Sequence, residues 1–531
     1  MSRSIRGAFD DVVPRERFGN QRDILGGAAQ NVVGLAIGAL AAAAAQILMS
    51  RTLGEARYGI ATLAVQMAFV GSTATRFGMD VANIRLVAIL IGKGEGGRVR
   101  ALARRASFIA LAVSVAAAVI LFAVAGLLAE ALTDLPNDAR PAFQAAALAL
   151  PFAAMTQIYL GATRGLKIMR HTLYVQWIGQ PLLWIGFTLA FWLAAQTSGA
   201  TVLAYAASWG VGLVIAFLAW ERESRTLAGV TEGGQIPEER TGALIRFGAF
   251  RAPAALCSHL VFWADLYVFS TLAGDEITGV YAATLLAAQT LFLFLTSLSL
   301  MFSPFVADLH HRGERDTLDS LYKSVTRWTL AATLPVLLVL LVMPDLVMRV
   351  FGSGFVAGAD ALLILSIGMI VPVSVGTVGF ILIMVGRTGW DLLVYAGAIA
   401  LDVSLALWLS QPDVLGIEGA ATAQACTLAA SALVRLALVR RFVNIWPFDR
   451  HFVRLLPAAA IGATVMVLAN AVLPESKWLV NLVVSAGLGT LAYAIALLAF
   501  GLKPGERATV GKLARGVLGR SEPPPDGAPG A

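Results

Sequence analysis

Long apolar runs alternate with short charged connections along nearly the whole chain. Bounded by charge, Gly or Pro, they lie at 25–49, 58–79, 106–129, 141–162, 173–195, 202–219, 247–273, 280–305, 328–343, 359–385, 392–409, 417–439, 455–473 and 478–500. A helix needs roughly 20 apolar residues to cross the hydrocarbon of a bilayer, so most of these runs are one crossing long. The run at 328–343 is short, and 359–385 is long with Pro372 inside it. At 58% hydrophobic and 14% charged over 531 residues, with mean hydropathy +0.76, the chain is outside the soluble class, which averages about 45–50% and about 25%. The pattern predicts an all-α polytopic membrane protein of about fourteen transmembrane helices.

The placement of charge predicts an orientation. With the N-terminal tail (1–24) put inside, the inside segments hold 32 of the 40 Lys and Arg and the outside segments 5, while Arg76, Arg251 and Arg435 fall within runs. Cytoplasmic connections carry such an excess, and a wrong count of runs scrambles the alternation from that point on. Both termini are therefore expected to be cytoplasmic. The excess of 40 basic over 33 acidic residues is topological, and nucleic acid is not an expected partner. No cleaved signal peptide is read at the N-terminus. Cys257 and Cys426 lie inside apolar runs, with no disulfide framework or zinc spacing. The segment 92–97, Gly-Lys-Gly-Glu-Gly-Gly, lacks the Gly-Lys-Ser/Thr and the preceding strand of a phosphate loop. The tail from Ser521, rich in Pro and Gly, reads as disordered.

The chain repeats itself at an offset of six runs. Gly54 to Gly59, between the first and second, matches Gly274 to Gly279, between the seventh and eighth, each with Gly, an acid, and Gly again five residues on. Gly165 and Tyr174 are nine apart, as are Gly386 and Tyr395. The expected organisation is a lobe of six helices (25–220), an inter-lobe loop (221–246), a second six-helix lobe (247–441) related to the first by a pseudo-twofold, two added helices (442–502) and a tail (503–531). Internally repeated bundles are characteristic of transporters, with the substrate path between the repeats.

These residues resemble a known family. Arg51-Thr52-Leu53-Gly54 through Tyr58-Gly59 is similar to the first periplasmic turn of the polysaccharide flippases in the multidrug/oligosaccharidyl-lipid/polysaccharide (MOP) exporter superfamily, and Asp265 followed by Gly274 to Tyr281 resembles its second-half counterpart. Phe351-Gly352-Ser353-Gly354-Phe355, with Gly358, Leu362 and Leu365, is similar to their segment before the tenth helix. Gly416-Ile417-Glu418-Gly419-Ala420-Ala421 looks like the start of their twelfth. The eleventh helix departs from that family, with Asp402 and Ala406 where Asn is frequent. The resemblance implies a flippase of the bacterial inner membrane. It would turn polyprenyl-pyrophosphate-linked oligosaccharide between leaflets by alternating access, for surface polysaccharides such as O-antigen lipopolysaccharide. It would act as a monomer without cofactor, in contact with polysaccharide-assembly enzymes, and with a proton or sodium ion as coupling ion. A drug or ion antiporter of the same superfamily shares the twelve-helix plan. A membrane glycan-processing enzyme would want a larger extramembrane loop than the roughly 15 residues from Pro344 to Gly358. No catalytic residue is expected.

An ionised side chain costs about 2.5–3.5 kcal/mol at a helix centre and much less where it can snorkel from an end. Arg76, Asp80 and Asn83 share one helical face near the cytoplasmic end of the second run. That is either a self-neutralised stripe or a mouth for the substrate's pyrophosphate, to which guanidinium geometry is suited. Arg251, one turn into the seventh run, either snorkels or joins the substrate path, and Arg435, near Arg440, is placed to snorkel. His259 lies about 18 Å into its run and Asp402 about 15 Å into the eleventh, at 1.5 Å per residue. Asp265 is deeper still, within about 40° of Arg251 on a continuous helix. These three face the lobe interior. The two acids suit ion coupling or hydrogen bonds to sugar hydroxyls, or else a structural carboxylate, and His259 suits a titrating group or a buried neutral imidazole. Asn31 and Gln289, with Gln30, Gln46, Gln66, Gln157, Gln176 and Gln180, put amides into both lobes. They suit carbohydrate hydroxyls, or bind helix to helix for about 1 kcal/mol each.

Overall fold

A computed structural model describes residues 21–92, 95–225 and 238–501. Lys93 and Gly94 of the Gly-rich segment, residues 226–237 of the inter-lobe loop, and the terminal tails including the stretch from Ser521 lie outside the described residues. So do the side chains of Gln30, Asn31 and Arg251. Every regular element among the described residues is helical.

Helix α1 (Gln21–Thr75) loses helical dihedrals at Gly54, with φ 75° and ψ 177°, so two crossings meet at a residue whose conformation favours glycine. Phe77 and Gly78, both at positive φ, separate it from α2 (Met79–Gly92). Then come α3 (Val99–Leu132) and α4 (Pro136–Gly165). The segment 170–192, here α5, contains a π turn at Leu173–Gly179, and α6 (Ser198–Arg225) ends this half. Alanine-rich α4 is its axis: small residues let α2, α3 and α6 all pack on it.

The second half breaks its helices more often. Helices α7 (Glu238–Leu260) and α8 (Ala264–Ser270) meet at a 60° bend, and α9 (Asp275–Gln289) and α10 (Phe292–His311) at 46°. Next are α11 (Arg315–Val342), the short α12 (Pro344–Phe351), α13 (Ala359–Val375) and α14 (Val378–Met384), the last two parted at Gly376 (φ 71°). Thus the short run at 328–343 is the end of a 28-residue helix, and the long run at 359–385 is two helices. α15 (Thr388–Leu409) and α16 (Gly416–Phe442) complete this half. The pair α17 (Leu455–Val472) and α18 (Trp478–Ala496) packs on α11, where Tyr493 donates to the carbonyl of Ala331 at 2.9 Å.

Among the described residues ten helices are long and apolar enough to cross a membrane, or 12 if each bent pair is one span. Fourteen crossings are compatible with this, since the ten count α1 once across Gly54 and omit the π-broken 170–192 segment.

The repeated glycines meet in space. Gly59 on α1 and Gly279 on α9 pack backbone to backbone: a Cβ on Gly279 would lie 1.9 Å from the Glu55 carbonyl oxygen, and one on Gly59 would lie 2.8 Å from Gly279 Cα. Around this crossing Ser50 and Arg51 donate to the carbonyls of Phe351, Val350 and Arg349, and Asp275 accepts from the backbone N–H groups of Asp134 and Leu135. At this turn end of the bundle the halves touch directly. The opposite, basic end carries most of the Lys and Arg.

Candidate functional site

Two clusters of ionisable groups lie within the bundle, one in each half. The acidic one begins at the break between α7 and α8. Residues Val261 to Trp263 leave the helix, and Gln424 on α16 donates to the freed Val261 carbonyl at 3.2 Å, supplying the bond a helix would have made. The chain restarts with Asp265 in the first turn of α8. The expected alignment of Asp265 with Arg251 therefore fails: the break and its 60° bend destroy the continuous helical phase on which it rested.

Asp265 is fully buried. The hydroxyl of Tyr281 on α9 donates to its Oδ2, and the Tyr281 ring packs edge-on against Phe269, centroids 5.1 Å apart. Across from it stands Asp402, also fully buried and within electrostatic range of Asp265, with Thr427 of α16 beside it. The groups nearest the Asp402 carboxylate are the Thr427 hydroxyl and the Asp265 backbone N–H, close to it but outside strict hydrogen-bonding geometry, and Oδ1 of Asp265 likewise has no partner in that geometry. Buried polar groups are nearly always paired, and two adjacent carboxylates cannot both stay ionised in a low-dielectric interior without a counter-charge. No ion pair to either is formed among the described residues. The arrangement suits a shared proton or a small cation with oxygen ligands. Among the described residues no three His, Cys, Asp or Glu gather as a metal site.

Asp402 comes from a helix that carries a second buried acid. Asp391, Ala398, Asp402 and Ala406 form the buried stripe of α15, a spacing that keeps them on one face. Asp391 is paired: Arg435 on α16 reaches it at 2.9 Å and lies 4.1 Å over the Tyr395 ring. Arg435, expected to snorkel, is only 8% exposed. Its charge is met inside, because Asp391 sits on the same buried seam.

The basic cluster lies where α1 gives way to α2. Phe77 at φ 52° is an uncommon conformation for a bulky residue, and the turn folds α2 back so that Arg76 Nη1 reaches Asp80 at 3.4 Å. Nη2 donates to Thr73 Oγ1 at 2.7 Å, and Nε donates to the Ser72 carbonyl at 3.2 Å. Arg164 on α4 interacts electrostatically with both Asp80 and Arg76. Gly161 and Gly165 admit this approach, since a Cβ on Gly161 would stand 2.7 Å from the Asp80 carbonyl oxygen. Asp80 is thus paired with Arg76 and within electrostatic range of Arg164. Asn83, expected on the Arg76 face, instead donates to the Ile158 carbonyl at 3.3 Å, because the Phe77–Gly78 turn resets the helical phase.

The remaining expected residues stand apart. His259 Nδ1 is 2.9 Å from the Ala255 carbonyl of its own helix, and its ring packs edge-on to Phe69 of the first half at 5.3 Å. Gln289 ends α9 at its bend with a buried, unpartnered amide nitrogen. Gln180 donates to Ser208, and Gln46 accepts from Tyr58, so these two bind helix to helix. Sequence reasoning passed over Arg164, assigned to a loop because the fourth run was ended at 162, and over Tyr281 and Thr427, which look like core residues until their neighbours are known.

No family model matches the sequence, and no curated protein does. Solved structures do match in fold. The lipid II flippase MurJ in an inward closed conformation aligns with TM-score 0.67 at 13% identity, over 88% of this chain and 97% of that one. An inward-facing multidrug resistance MATE family transporter of the MOP superfamily aligns at 0.62 and 14%, over 78% and 98%. A MOP superfamily transporter from Pyrococcus furiosus aligns at 0.58 and 14%, over 78% and 95%. The chain has the fold of MOP superfamily transporters.

Proposed function

We propose that this chain is an ion-coupled flippase that moves a polyprenyl-pyrophosphate-linked oligosaccharide across the bacterial inner membrane by alternating access, for cell-surface polysaccharide assembly. The observation that carries the reading is the opposite chemistry of the two buried clusters within a transporter fold: two guanidiniums near the Asp80 carboxylate in one half, and two buried carboxylates with no ion pair among the described residues in the other. Arg76 and Arg164 supply planar donor forks that match phosphate oxygens, and Asp80 keeps them from being permanently neutralised by a tightly held anion. Asp265 and Asp402 take the coupling ion, a proton or sodium. With the ion bound, α8 and α15 can close over a neutral centre; without it, repulsion between the carboxylates loosens them. Tyr281 and Gln424 hold the broken helix in register for that change.

The added helices support a lipid-linked substrate. A pair of helices beyond the two six-helix lobes gives a long hydrocarbon tail apolar surface to run along. In this reading the basic end is cytoplasmic, both termini lie there, and the Gly59–Gly279 crossing is the closed outer gate. The halves on either side of that crossing, 25–220 and 247–441, are the two lobes that rock about it. The chain works as a monomer, with assembly enzymes meeting its cytoplasmic loops.

A second reading has one specific observation in its favour: a buried pair of carboxylates with no ion pair among the described residues also suits an organic cation, as expected of a drug antiporter of this fold. Reconstituted vesicles separate the two. The flippase reading expects a fluorescent polyprenyl-pyrophosphate oligosaccharide to cross faster with protein than without, and faster under an imposed proton or sodium gradient. Export of cationic dyes with no lipid-linked movement would replace it with the antiporter.

A further inference from the structure

A groove of about 330 Å³ runs along the seam between α15 and α16, walled by Trp390, Leu393, Gly397 and Leu401 on one side and by Ala430 and Val434 on the other. Its volume is that of a small-ligand pocket, roughly 300–1,000 Å³. From Trp390 to Leu401 the helix rises eleven steps, about 16 Å at 1.5 Å per residue, or half of a roughly 30 Å hydrocarbon core. The groove therefore has the length of one leaflet. Its lining is apolar except for Thr427 and Ser431, and Trp390, Leu393 and Val434 are exposed, so the groove opens to the outside of the bundle.

The mouth of the groove differs in chemistry. At the end where α15 begins and α16 finishes stand Arg387, immediately before α15, and Arg440 and Arg441 in the last turn of α16. The Arg387 guanidinium lies 4.7 Å over the Phe442 ring, and that of Arg440 lies 4.9 Å over Trp446. None of the three arginines is in an ion pair among the described residues, and all three are exposed. Trp390 and Trp446 beside them are the aromatics typical of the headgroup level. An apolar slot one leaflet deep, with guanidiniums at its headgroup end, matches a molecule that is anionic at one end and hydrocarbon for the rest.

We propose that the α15–α16 groove binds one anionic phospholipid from the leaflet at the basic end, with an acyl chain along Gly397 and Leu401 and the phosphate against Arg387 and Arg441. The chain terminus reaches Thr427, which stands beside Asp402. The site is distinct from the basic cluster of α1, α2 and α4, and binding here does not depend on which substrate the protein moves.

The test uses the full chain in detergent with dioleoylphosphatidylglycerol as probe and dioleoylphosphatidylcholine as its neutral counterpart. Native mass spectrometry counts bound lipid, and thermal melting reports its effect. Gly397 has no heavy atom within 4 Å of where a Cβ would stand, so Gly397→Leu fills the groove without a clash and should leave the lipid-free melting point near that of the parent. The expected result is one retained phosphatidylglycerol with a saturable rise in melting temperature, weakened about tenfold or more by Gly397→Leu. Arg387→Gln with Arg441→Gln, both at the exposed mouth, should reduce phosphatidylglycerol binding to the level of phosphatidylcholine without touching the groove. Undiminished phosphatidylglycerol binding in Gly397→Leu overturns the groove as the site. Equal binding of the two lipids by the parent chain overturns the anionic specificity.

Discussion

The two halves of the bundle bury charge in opposite ways. In the first, Arg76 is paired with Asp80 and Arg164 lies within electrostatic range of both; in the second, Asp265 and Asp402 stand near each other beside the Tyr281 and Thr427 hydroxyls, with no ion pair among the described residues. A third buried arrangement, Arg435 with Asp391, shows a buried charge met by an opposite one. Burial of charge is therefore not by itself the functional signal. The sharper signal is the carboxylate pair: Arg435 is met by an opposite charge, whereas Asp265 and Asp402 face each other with no ion pair among the described residues.

Four sets of substitutions would break or sharpen that comparison. The largest effect on transport is expected from Asp265→Asn with Asp402→Asn, which removes the coupling charge at nearly constant shape. Ion-driven flipping in reconstituted vesicles should fall by about a hundredfold, roughly 2.7 kcal/mol, while insertion and melting temperature stay near the parent's. Arg76→Gln with Arg164→Gln should weaken binding of a soluble pyrophosphate analogue by about 1.5–3 kcal/mol, the worth of hydrogen bonds to charged groups, measured by calorimetry, and should leave ion binding at the acidic cluster intact. Asp391→Ala acts on stability instead. It strands Arg435 in the interior at a cost of about 3–5 kcal/mol, so melting temperature drops while flipping per folded molecule is retained, and Arg435→Leu added to it should recover much of the loss. The smallest effect belongs to His259→Phe. Its ring packs on Phe69 and its Nδ1 is bonded within its own helix, so transport should change by less than about twofold and keep its pH profile. A shifted profile would put His259 into the coupling path.

How much of this was legible before the structure follows from the range of the interactions. The all-helical membrane fold and most run positions rest on local hydropathy, and the structure keeps them, with α15 and α16 close to the runs at 392–409 and 417–439. The repeat at Gly54–Gly59 and Gly274–Gly279 was visible as a spacing, but that Gly59 and Gly279 touch is a fact of packing between segments 220 residues apart. Asp265 and Asp402 stood out because charge at that depth is costly. Their adjacency was hidden, since it depends on the break at Val261–Trp263 that turns α8 toward α15. A run with no proline at the bend gives no local warning of such a break. Arg164 was hidden for a simpler reason: α4 continues to Gly165, so a residue that looked like loop lies on a helix beside Asp80. Arg435 shows the reverse error, in which nearness to a helix end suggested snorkelling although its partner lay across the seam.

The central claim, that two buried clusters of opposite chemistry move a pyrophosphate-linked lipid against an ion, reduces to one measurement. Flipping of a fluorescent polyprenyl-pyrophosphate oligosaccharide is followed in vesicles with and without an imposed proton or sodium gradient, for the parent chain and for Asp265→Asn with Asp402→Asn. The account predicts gradient-accelerated flipping by the parent and loss of that acceleration in the double variant at equal incorporation. Flipping by the double variant that responds to the gradient as the parent does would contradict it.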